Sequence, residues 1–156
     1  MLRVRSAAEM EALGGRLARV LKQGGVIHLH GDLGAGKTTL VRGLLRALGH
    51  EGSVRSPTYT LLETYTPHGL KVHHLDLYRL TDAEELEYIG LRDLLEPDAI
   101  CLIEWPGKGA GYLPEPDMEL HIAIAASDAR DVRARARGER GAAMLADPDL
   151  SGLAGA

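Results

Sequence analysis

One stretch of the sequence decides the fold: Val26-Ile27-His28-Leu29-His30-Gly31-Asp32-Leu33-Gly34-Ala35-Gly36-Lys37-Thr38-Thr39-Leu40. Its centre, Gly31-x4-Gly36-Lys37-Thr38, fits the pattern of a phosphate-binding P-loop. Apolar residues precede the glycines and follow them at helical spacing, which predicts a strand, a tight loop and the start of a helix. Glycines let backbone N–H groups converge on an anion, and the positive end of the helix faces the same point. We therefore expect the chain to bind a nucleoside triphosphate.

The loop and the first residues of the helix are predicted to hold the phosphates. Lys37 is expected to reach the outer phosphates as a point charge, and the Thr38 hydroxyl to coordinate Mg²⁺. Asp32 lies inside the loop, where it either faces the phosphates through Mg²⁺ or shapes the turn. ATP is favoured over GTP because the sequence has no asparagine, which excludes the Asn-Lys-x-Asp motif that typically reads guanine. The full set predicted to bind ATP is Asp32, Leu33, Gly34, Ala35, Gly36, Lys37, Thr38 and Thr39.

Composition limits the classes of protein to consider. A chain of 156 residues with 45% hydrophobic content suits one globular domain, which we expect over residues 1–146, with a frayed tail over 147–156. The formal net charge of −4 gives no global basic field for nucleic acid, so any RNA contact is expected to be local or delivered by a partner. The single cysteine, Cys101, forms no internal disulfide, and no stretch has the length of a membrane span. We expect a cytoplasmic protein.

The rest of the chain predicts helices and strands of an α/β domain. Ala99–Glu104 is an apolar run that ends in a carboxylate, which is typical of a buried parallel strand with an acid at its C-terminal edge. Residues 132–137 alternate and predict an edge-type strand with arginines on one face. The other predicted elements are a short strand at 2–5, a helix that Ser6 caps, a β-hairpin at about 58–78 joined by Pro67-His68-Gly69, an acidic helical stretch from Thr81 to Leu95, and a strand at 118–124.

Two carboxylates are candidates for the chemistry of a P-loop ATPase, Asp76 and Glu104. Such an enzyme needs one carboxylate to hold Mg²⁺ and a group to orient or deprotonate the attacking water. Glu104 ends the run most like a Walker B strand, so we assign it to the metal, directly or through water. Asp76 is then the candidate general base and acts with Lys37 in catalysis. The sequence alone allows the two acids to exchange roles, and the structural alternative for each is a cap or a surface ion pair.

Four histidines fall on two predicted strands: His28, His30, His73 and His74. Strand alternation puts His73 and His74 on opposite faces, and no spacing typical of metal ligands emerges. We therefore expect no metal site among them.

A linked set of motifs resembles a known family. The blocks occur in the order Gly31-Asp32-Leu33-Gly34-Ala35-Gly36-Lys37-Thr38-Thr39, Ser56-Pro57-Thr58-Tyr59, His74-Leu75-Asp76-Leu77-Tyr78-Arg79-Leu80, Glu85-Leu86 with Gly90, and Ile103-Glu104-Trp105-Pro106. Together they closely resemble the bacterial TsaE (YjeE) family, the ATPase subunit of tRNA threonylcarbamoyladenosine biosynthesis. The resemblance covers residues 10 to 137 and is far more specific than the P-loop alone.

The resemblance implies a P-loop α/β domain around a mixed sheet that binds ATP and Mg²⁺. It implies slow ATP hydrolysis by the protein alone and action with the TsaB and TsaD partners. In that system TsaD transfers the threonylcarbamoyl group to the adenosine beside the anticodon, and the ATPase supports turnover of the complex.

The resemblance also implies roles for individual residues. It assigns Mg²⁺ to Thr38 and Glu104 and makes Asp76 important for hydrolysis. It puts the switch candidates in mobile regions near the nucleotide, and these are Ser56, Thr58, Tyr59 and Trp105. From the residues alone, Thr58 is as readily the start of a strand. Members of the family often carry a threonine near the nucleotide base at about the position of Met10, and the methionine here lacks that hydroxyl. Neither Arg130 nor Arg133 is assigned a role.

Two other classes of function remain open at this stage. The first is a small-molecule or nucleoside kinase, which usually needs a lid bearing arginines. Arg79 and Arg92 are the nearby candidates, and the sequence shows no lid-like insertion. The second is a nucleotide-gated binding module without useful hydrolysis.

Overall fold

The strand that precedes the glycine loop lies in the middle of the sheet of this protein. A computed structural model describes residues 1–154, and within them seven strands form one sheet. The strands are β1 (Leu2–Val4), β2 (Gly25–His30), β3 (Leu62–Tyr65), β4 (Val72–Asp76), β5 (Ile100–Glu104), β6 (Met118–Ile124) and β7 (Arg130–Ala136). Their order across the sheet is β1-β7-β6-β2-β5-β4-β3.

The sheet is mixed, as expected. β2 pairs in parallel with β5 and β6, and β5 pairs in parallel with β4, whereas the pairs at both sides of the sheet are antiparallel. The carboxyl ends of β2, β5 and β4 therefore meet at one edge, where open α/β sheets bind their ligands.

Five helices accompany the sheet in the described part of the chain. They are α1 (Ala7–Val20), α2 (Lys37–Ala47), α3 (Glu85–Tyr88), α4 (Leu91–Leu94) and α5 (Gly138–Ala146). α1 begins where predicted because the Ser6 hydroxyl accepts a hydrogen bond from the Glu9 N–H at 3.1 Å. No helix within residues 1–154 combines the length and the apolar character needed to cross a membrane.

Glycines bring α1 and α2 into close contact. A Cβ at Gly43 would lie 2.1 Å from the carbonyl oxygen of Glu11, and one at Gly14 would lie 2.2 Å from that of Leu40. Any larger side chain would push the helices apart. Because α2 begins at Lys37, this contact determines how the end of the glycine loop sits against the sheet.

Alternation along β5 divides the apolar core between the two faces of the sheet. Ile100 and Leu102 belong to the cluster that packs against α1 and α2. Cys101 and Ile103 belong to a second cluster that includes side chains of α3 and α4. Burial raises the pKa of the Cys101 thiol to about 12, so this side chain is a neutral part of the core.

The hairpin is shorter than predicted. β3 and β4 pair antiparallel, and Pro67–Gly69 joins them as expected. Residues 57–60, however, form a turn and not the first part of a strand. The Leu61 N–H donates to the Pro57 carbonyl at 2.7 Å, and Leu61 itself has a φ of 70°. Because the Leu61 N–H is used in this turn, it is not available for pairing with a neighbouring strand. β3 therefore begins at Leu62.

The prediction that the arginine-bearing strand forms an edge is wrong. β1 pairs antiparallel with β7, so β7 has a neighbour on both sides. Arg133 and Arg135 are exposed on one face, as predicted. Whether a strand lies at the edge of a sheet depends on which distant segment pairs with it. The alternating pattern of residues in β7 does not indicate that partner.

The prediction of a frayed tail is wrong for residues 147–154. Leu150 and Leu153 are buried in the core, and Arg16 donates to the carbonyl of Asp149 at 2.5 Å. The free energy gained by burying two leucine side chains offsets the conformational entropy that this short segment loses on ordering. The remaining two residues of the predicted tail lie outside the described part of the chain. α5, which the sequence analysis does not predict, leads into this segment.

Candidate functional site

The glycine loop connects β2 to α2 in a conformation that other residues adopt with strain. Gly34 has a φ of 80° and Gly36, at the N-cap of α2, has a φ of 109°. A Cβ at Gly31 would lie 2.9 Å from the Ile122 carbonyl oxygen of β6. The loop therefore needs glycine for its backbone angles and for its fit against the sheet, which agrees with the predicted phosphate cradle.

Lys37 is buried beneath this loop and its charge is compensated there. Its Nζ donates to the Gly31 carbonyl at 2.5 Å and lies 3.7 Å from Glu104 Oε1. The same Nζ lies 4.3 Å from the centroid of the Trp105 ring, a cation–π distance. These partners hold the buried ammonium group in a fixed position beneath the loop.

Glu104 ends β5 beside Lys37, with only 3% of its surface exposed. Its Oε2 is 2.5 Å from Nε2 of His74, which lies on the neighbouring strand β4. Glu104 thus faces Lys37 with one carboxylate oxygen and His74 with the other. His74 is not among the site residues predicted from the sequence. Its spacing of two residues from Asp76 on one strand is the signal that would have placed both side chains on one face.

Asp76 ends β4 directly opposite Glu104 in the parallel pairing. Its Oδ2 accepts from the Thr58 hydroxyl at 2.9 Å, and its Oδ1 accepts from the Tyr78 N–H at 3.0 Å. The Ser56 hydroxyl lies 2.7 Å from that of Thr58. A chain of hydroxyl groups therefore joins the Ser56-Pro57-Thr58 segment to this carboxylate.

One cleft brings most of the predicted residues together. It is lined by Leu33, Gly34, Gly36, Lys37, Thr38, Thr39, Ser56, Asp76 and Glu104. The oxygen donors of Thr38, Asp76 and Glu104 suit Mg²⁺, a hard cation, and the glycine loop with Lys37 suits phosphate. The residues present therefore fit the predicted pair of ATP and Mg²⁺.

Some predicted residues lie elsewhere. Tyr59 is 82% exposed, and its ring lies 4.1 Å from the guanidinium of Arg79, away from the cleft. Asp32 lines a neighbouring cleft together with Trp105, and its carbonyl accepts from the Ala35 N–H at 3.0 Å, which shapes the turn. Trp105 has a φ of 56°, which is unusual for a bulky residue and indicates local backbone strain.

Arg130 is a loop-supporting residue that the sequence analysis left without a role. Its guanidinium donates to the carbonyls of Ala35 at 3.0 Å and Gly34 at 3.1 Å. These bonds give two carbonyls of the glycine loop a hydrogen-bond partner and hold that part of the loop in place. Met10, in contrast, is buried in α1, and its Cε would lie 3.1 Å from a Cβ at Gly36. Arg130 and Met10 both line a second cleft, which shares Gly34, Gly36 and Thr39 with the first. Arg5 and Asp128 are among its other residues.

Comparisons with known proteins agree on one family. The sequence profile described as "Threonylcarbamoyl adenosine biosynthesis protein TsaE" matches residues 4–134. Three relatives described as "tRNA threonylcarbamoyladenosine biosynthesis protein TsaE" illustrate the range of sequence identity and coverage. The Haemophilus influenzae protein is 58% identical over 97 residues, which are 62% of this chain and 61% of that protein. The Treponema pallidum protein is 37% identical over 82% of this chain and 94% of its own. The Streptomyces coelicolor protein is 38% identical over 94% of this chain and 100% of its own.

A solved structure shows the same fold. The crystal structure of Bacillus subtilis YdiB matches with a TM-score of 0.77 and 30% sequence identity, over 92% of this chain and 89% of that one. The mixed α/β architecture is therefore shared along nearly the whole chain.

Proposed function

The chain belongs to the TsaE family, and on that premise we propose that it is a Mg²⁺-dependent ATPase that supports threonylcarbamoyl transfer to the adenosine next to the anticodon of tRNA. We propose further that it acts with TsaB and TsaD proteins and reaches tRNA through that complex. The proposed ATPase activity rests on one observation: Lys37, Glu104 and Asp76 line the same cleft beside the glycine loop.

The loop and Lys37 bind the phosphates in this proposal. Backbone N–H groups at the start of α2 point toward the cleft, and the helix dipole favours an anion there. Lys37 is already desolvated and close to the loop, so it exchanges its contact with the Gly31 carbonyl for the outer phosphates at little entropic cost.

Glu104 and Thr38 are the proposed ligands of Mg²⁺, which would neutralise charge on the transferred phosphoryl group. Glu104 is the better candidate of the two acids because its strand is adjacent to β2 and its Oε1 lies 3.7 Å from Lys37. His74 is a positioning residue that holds the other oxygen of Glu104.

Asp76 is the proposed base that orients or deprotonates the attacking water. Asp76 lies on β4, one strand farther from β2 than Glu104. In this proposal the attacking water binds between its carboxylate and the phosphates. Each carboxylate oxygen has two acceptor positions, so Asp76 can accept from water while Thr58 and Tyr78 keep it oriented. The Ser56-Thr58 hydroxyls then transmit movement of their segment to the base.

The contacts of the surface arginines disfavour a kinase. Arg79 packs over Tyr59, and Arg92 lies 3.3 Å from Glu87 with 84% of its side chain exposed. Neither residue lines the cleft with the candidate catalytic groups. The two arginines that were candidates for a kinase lid are therefore engaged away from the candidate catalytic groups.

A reconstituted assay tests the proposed function. Phosphate release from ATP is measured for the chain alone, with TsaB and TsaD, and with both plus unmodified tRNA, while modified nucleoside is quantified in the same reactions. We expect slow hydrolysis alone, a strong increase with both partners, and modified tRNA only when ATP and Mg²⁺ are present. Absence of stimulation at micromolar partner concentrations, or a phosphorylated nucleoside as product, would contradict the proposal.

A further inference from the structure

A cluster of polar side chains lies on the sheet outside the nucleotide cleft. His28 and His30 are two residues apart on β2, so both project from the same face. The parallel pairing of β2 with β6 sets His28 beside Glu119 and His30 beside His121. The topology thus brings together residues that are about ninety positions apart in the sequence, which is why strand alternation alone did not indicate a metal site.

Three of these side chains converge on one point. His28, His30 and Glu119 each offer a ligand atom within 4.8 Å of the others. His30 Nε2 is 3.1 Å from Glu119 Oε1, while the other oxygen of Glu119 accepts from Arg137 Nε at 2.9 Å. Arg137 therefore holds one carboxylate oxygen and leaves Oε1 beside His30, an arrangement typical of the residues that orient metal ligands.

The buried nitrogen of His28 adds a second, independent observation. His28 is 9% exposed, and its Nε2 is buried without a hydrogen-bond partner among the described residues. An unpaired polar atom in this position costs free energy that a ligand would recover.

We propose that His28, His30 and Glu119 form a binding site for one divalent transition-metal ion, for which Zn²⁺ is the best match. Two imidazole nitrogens and one carboxylate oxygen are a donor set that Zn²⁺ accepts, and a water molecule would complete its four ligands. Mg²⁺ prefers oxygen donors, so the site differs in chemistry from the nucleotide cleft.

His121 borders the site without joining it. Its ring stacks on that of His30 with 4.4 Å between centroids and 7° between planes, so it covers the His30 ring. This packing makes His121 a matched control: it lies on the same face and has the same chemistry, but it is outside the ligand set.

The metal would join β2 to β6 directly before the glycine loop. His30 is the last residue of β2 and precedes Gly31, whose carbonyl accepts from Lys37. A bound ion is therefore expected to stabilise the two central strands where the loop begins. This inference does not depend on the proposed ATPase activity.

Calorimetric titration of the full chain with Zn²⁺, in the presence of excess Mg²⁺, tests the site. We expect one bound Zn²⁺ per chain in the unmodified protein. His30→Gln and Glu119→Gln should each weaken the affinity by at least about tenfold, because each removes a ligand. His121→Gln and Asp76→Asn should retain it, since the first alters only the border and the second alters only the nucleotide cleft.

Thermal unfolding supplies a second readout that requires no catalysis. Zn²⁺ at about one hundred times its dissociation constant should raise the melting temperature by about 5 °C or more in the unmodified chain and in His121→Gln, and by less in the ligand variants. Melting without metal identifies any variant that folds poorly, and Glu119→Gln, which keeps the size of the side chain, then carries the test. The assignment is overturned by absence of Zn²⁺ binding, by unchanged affinity in both ligand variants, or by equal losses in His121→Gln or Asp76→Asn.

Discussion

Asp76 and Glu104 are neighbours at the ends of adjacent strands, yet their surroundings differ. Glu104 faces the Lys37 ammonium and His74, two groups that carry or accept positive charge. Asp76 is held by a hydroxyl and a backbone N–H, which orient it without a cationic partner at hydrogen-bond distance. The sequence left the roles of the two acids interchangeable. These contacts support the proposal that Glu104 binds the metal and that Asp76 acts on the attacking water.

Replacing Asp76 with asparagine should separate binding from turnover. Asp76→Asn keeps the size of the side chain and its contact with Thr58 but removes the basic carboxylate. We expect ATP affinity to stay close to that of the unmodified chain and kcat to fall by about 10²–10⁴-fold, the usual contribution of a general base. Equilibrium nucleotide binding and steady-state hydrolysis, measured with TsaB and TsaD, check this expectation.

The control for this experiment is Asp128→Asn, which alters an exposed acid that lines the second cleft and not the cleft of Asp76 and Glu104. Its turnover should fall far less than that of Asp76→Asn. Normal hydrolysis by Asp76→Asn would exclude Asp76 as the base.

At the level of elements, the contact between α1 and α2 governs the position of the loop. α2 starts with Lys37 and Thr38, and its axis is fixed against α1 by glycines that allow backbone to meet backbone. Periodicity predicted both helices, because apolar residues recur along each of them. It did not predict how closely they approach, since that distance depends on which glycines face each other.

Gly43→Ala should destabilise the domain although alanine is the better helix former. The added Cβ would lie 2.1 Å from the Glu11 carbonyl oxygen, so α1 and α2 must separate. Such overpacking typically costs about 1–3 kcal/mol of the free energy of unfolding. The midpoint and slope of urea denaturation measure it.

Gly15→Ala is the matched control on α1. Its Cβ would meet Ala47 Cβ at 3.6 Å, an ordinary contact. This variant should be as stable as the unmodified chain or gain up to about 1 kcal/mol from helix propensity. Equal stability of the two variants would mean that the helices separate without cost.

At the scale of the whole molecule, the two ends of the chain complete the same side of the sheet. β1 adds a strand next to β7, and Ala134 of β7 donates its N–H to the Leu153 carbonyl at 2.7 Å. Leu153 and Leu150 are buried with the side chains that α1 contributes to the core. The segment after α5 is therefore part of the domain as far as residue 154.

Leu150→Ala should confirm that this segment stabilises the fold. Leu150 is 1% exposed, so the truncated side chain leaves a cavity, which typically costs about 2–5 kcal/mol. Ile124→Ala, at a residue that is 51% exposed, serves as the control and should change stability by about 0.5 kcal/mol or less. Both values come from chemical denaturation of the full chain, and a near-zero effect at Leu150 would show that the segment contributes little.

The sequence predicted the parts of the site that depend on near neighbours. The Gly31–Thr38 loop, the buried strand ending at Glu104 and the strand carrying Asp76 are confirmed by the structure because each is defined within a few residues. It missed Arg130 and His74, which reach the site from other elements. It also misjudged the position of β7 and the packing of residues 147–154, since both depend on pairing with the opposite end of the chain.

The sequence by itself determined the glycine loop between β2 and α2, the α/β class and the family, because these follow from local spacing, backbone freedom and the order of motifs. Only the tertiary structure decided which side chains meet. The parallel pairing of β4 with β5 sets Asp76 beside Glu104, and that of β2 with β6 sets His28 beside Glu119. Strand register and order are long-range properties of the packed sheet, and a periodic pattern fixes only the face on which a residue lies.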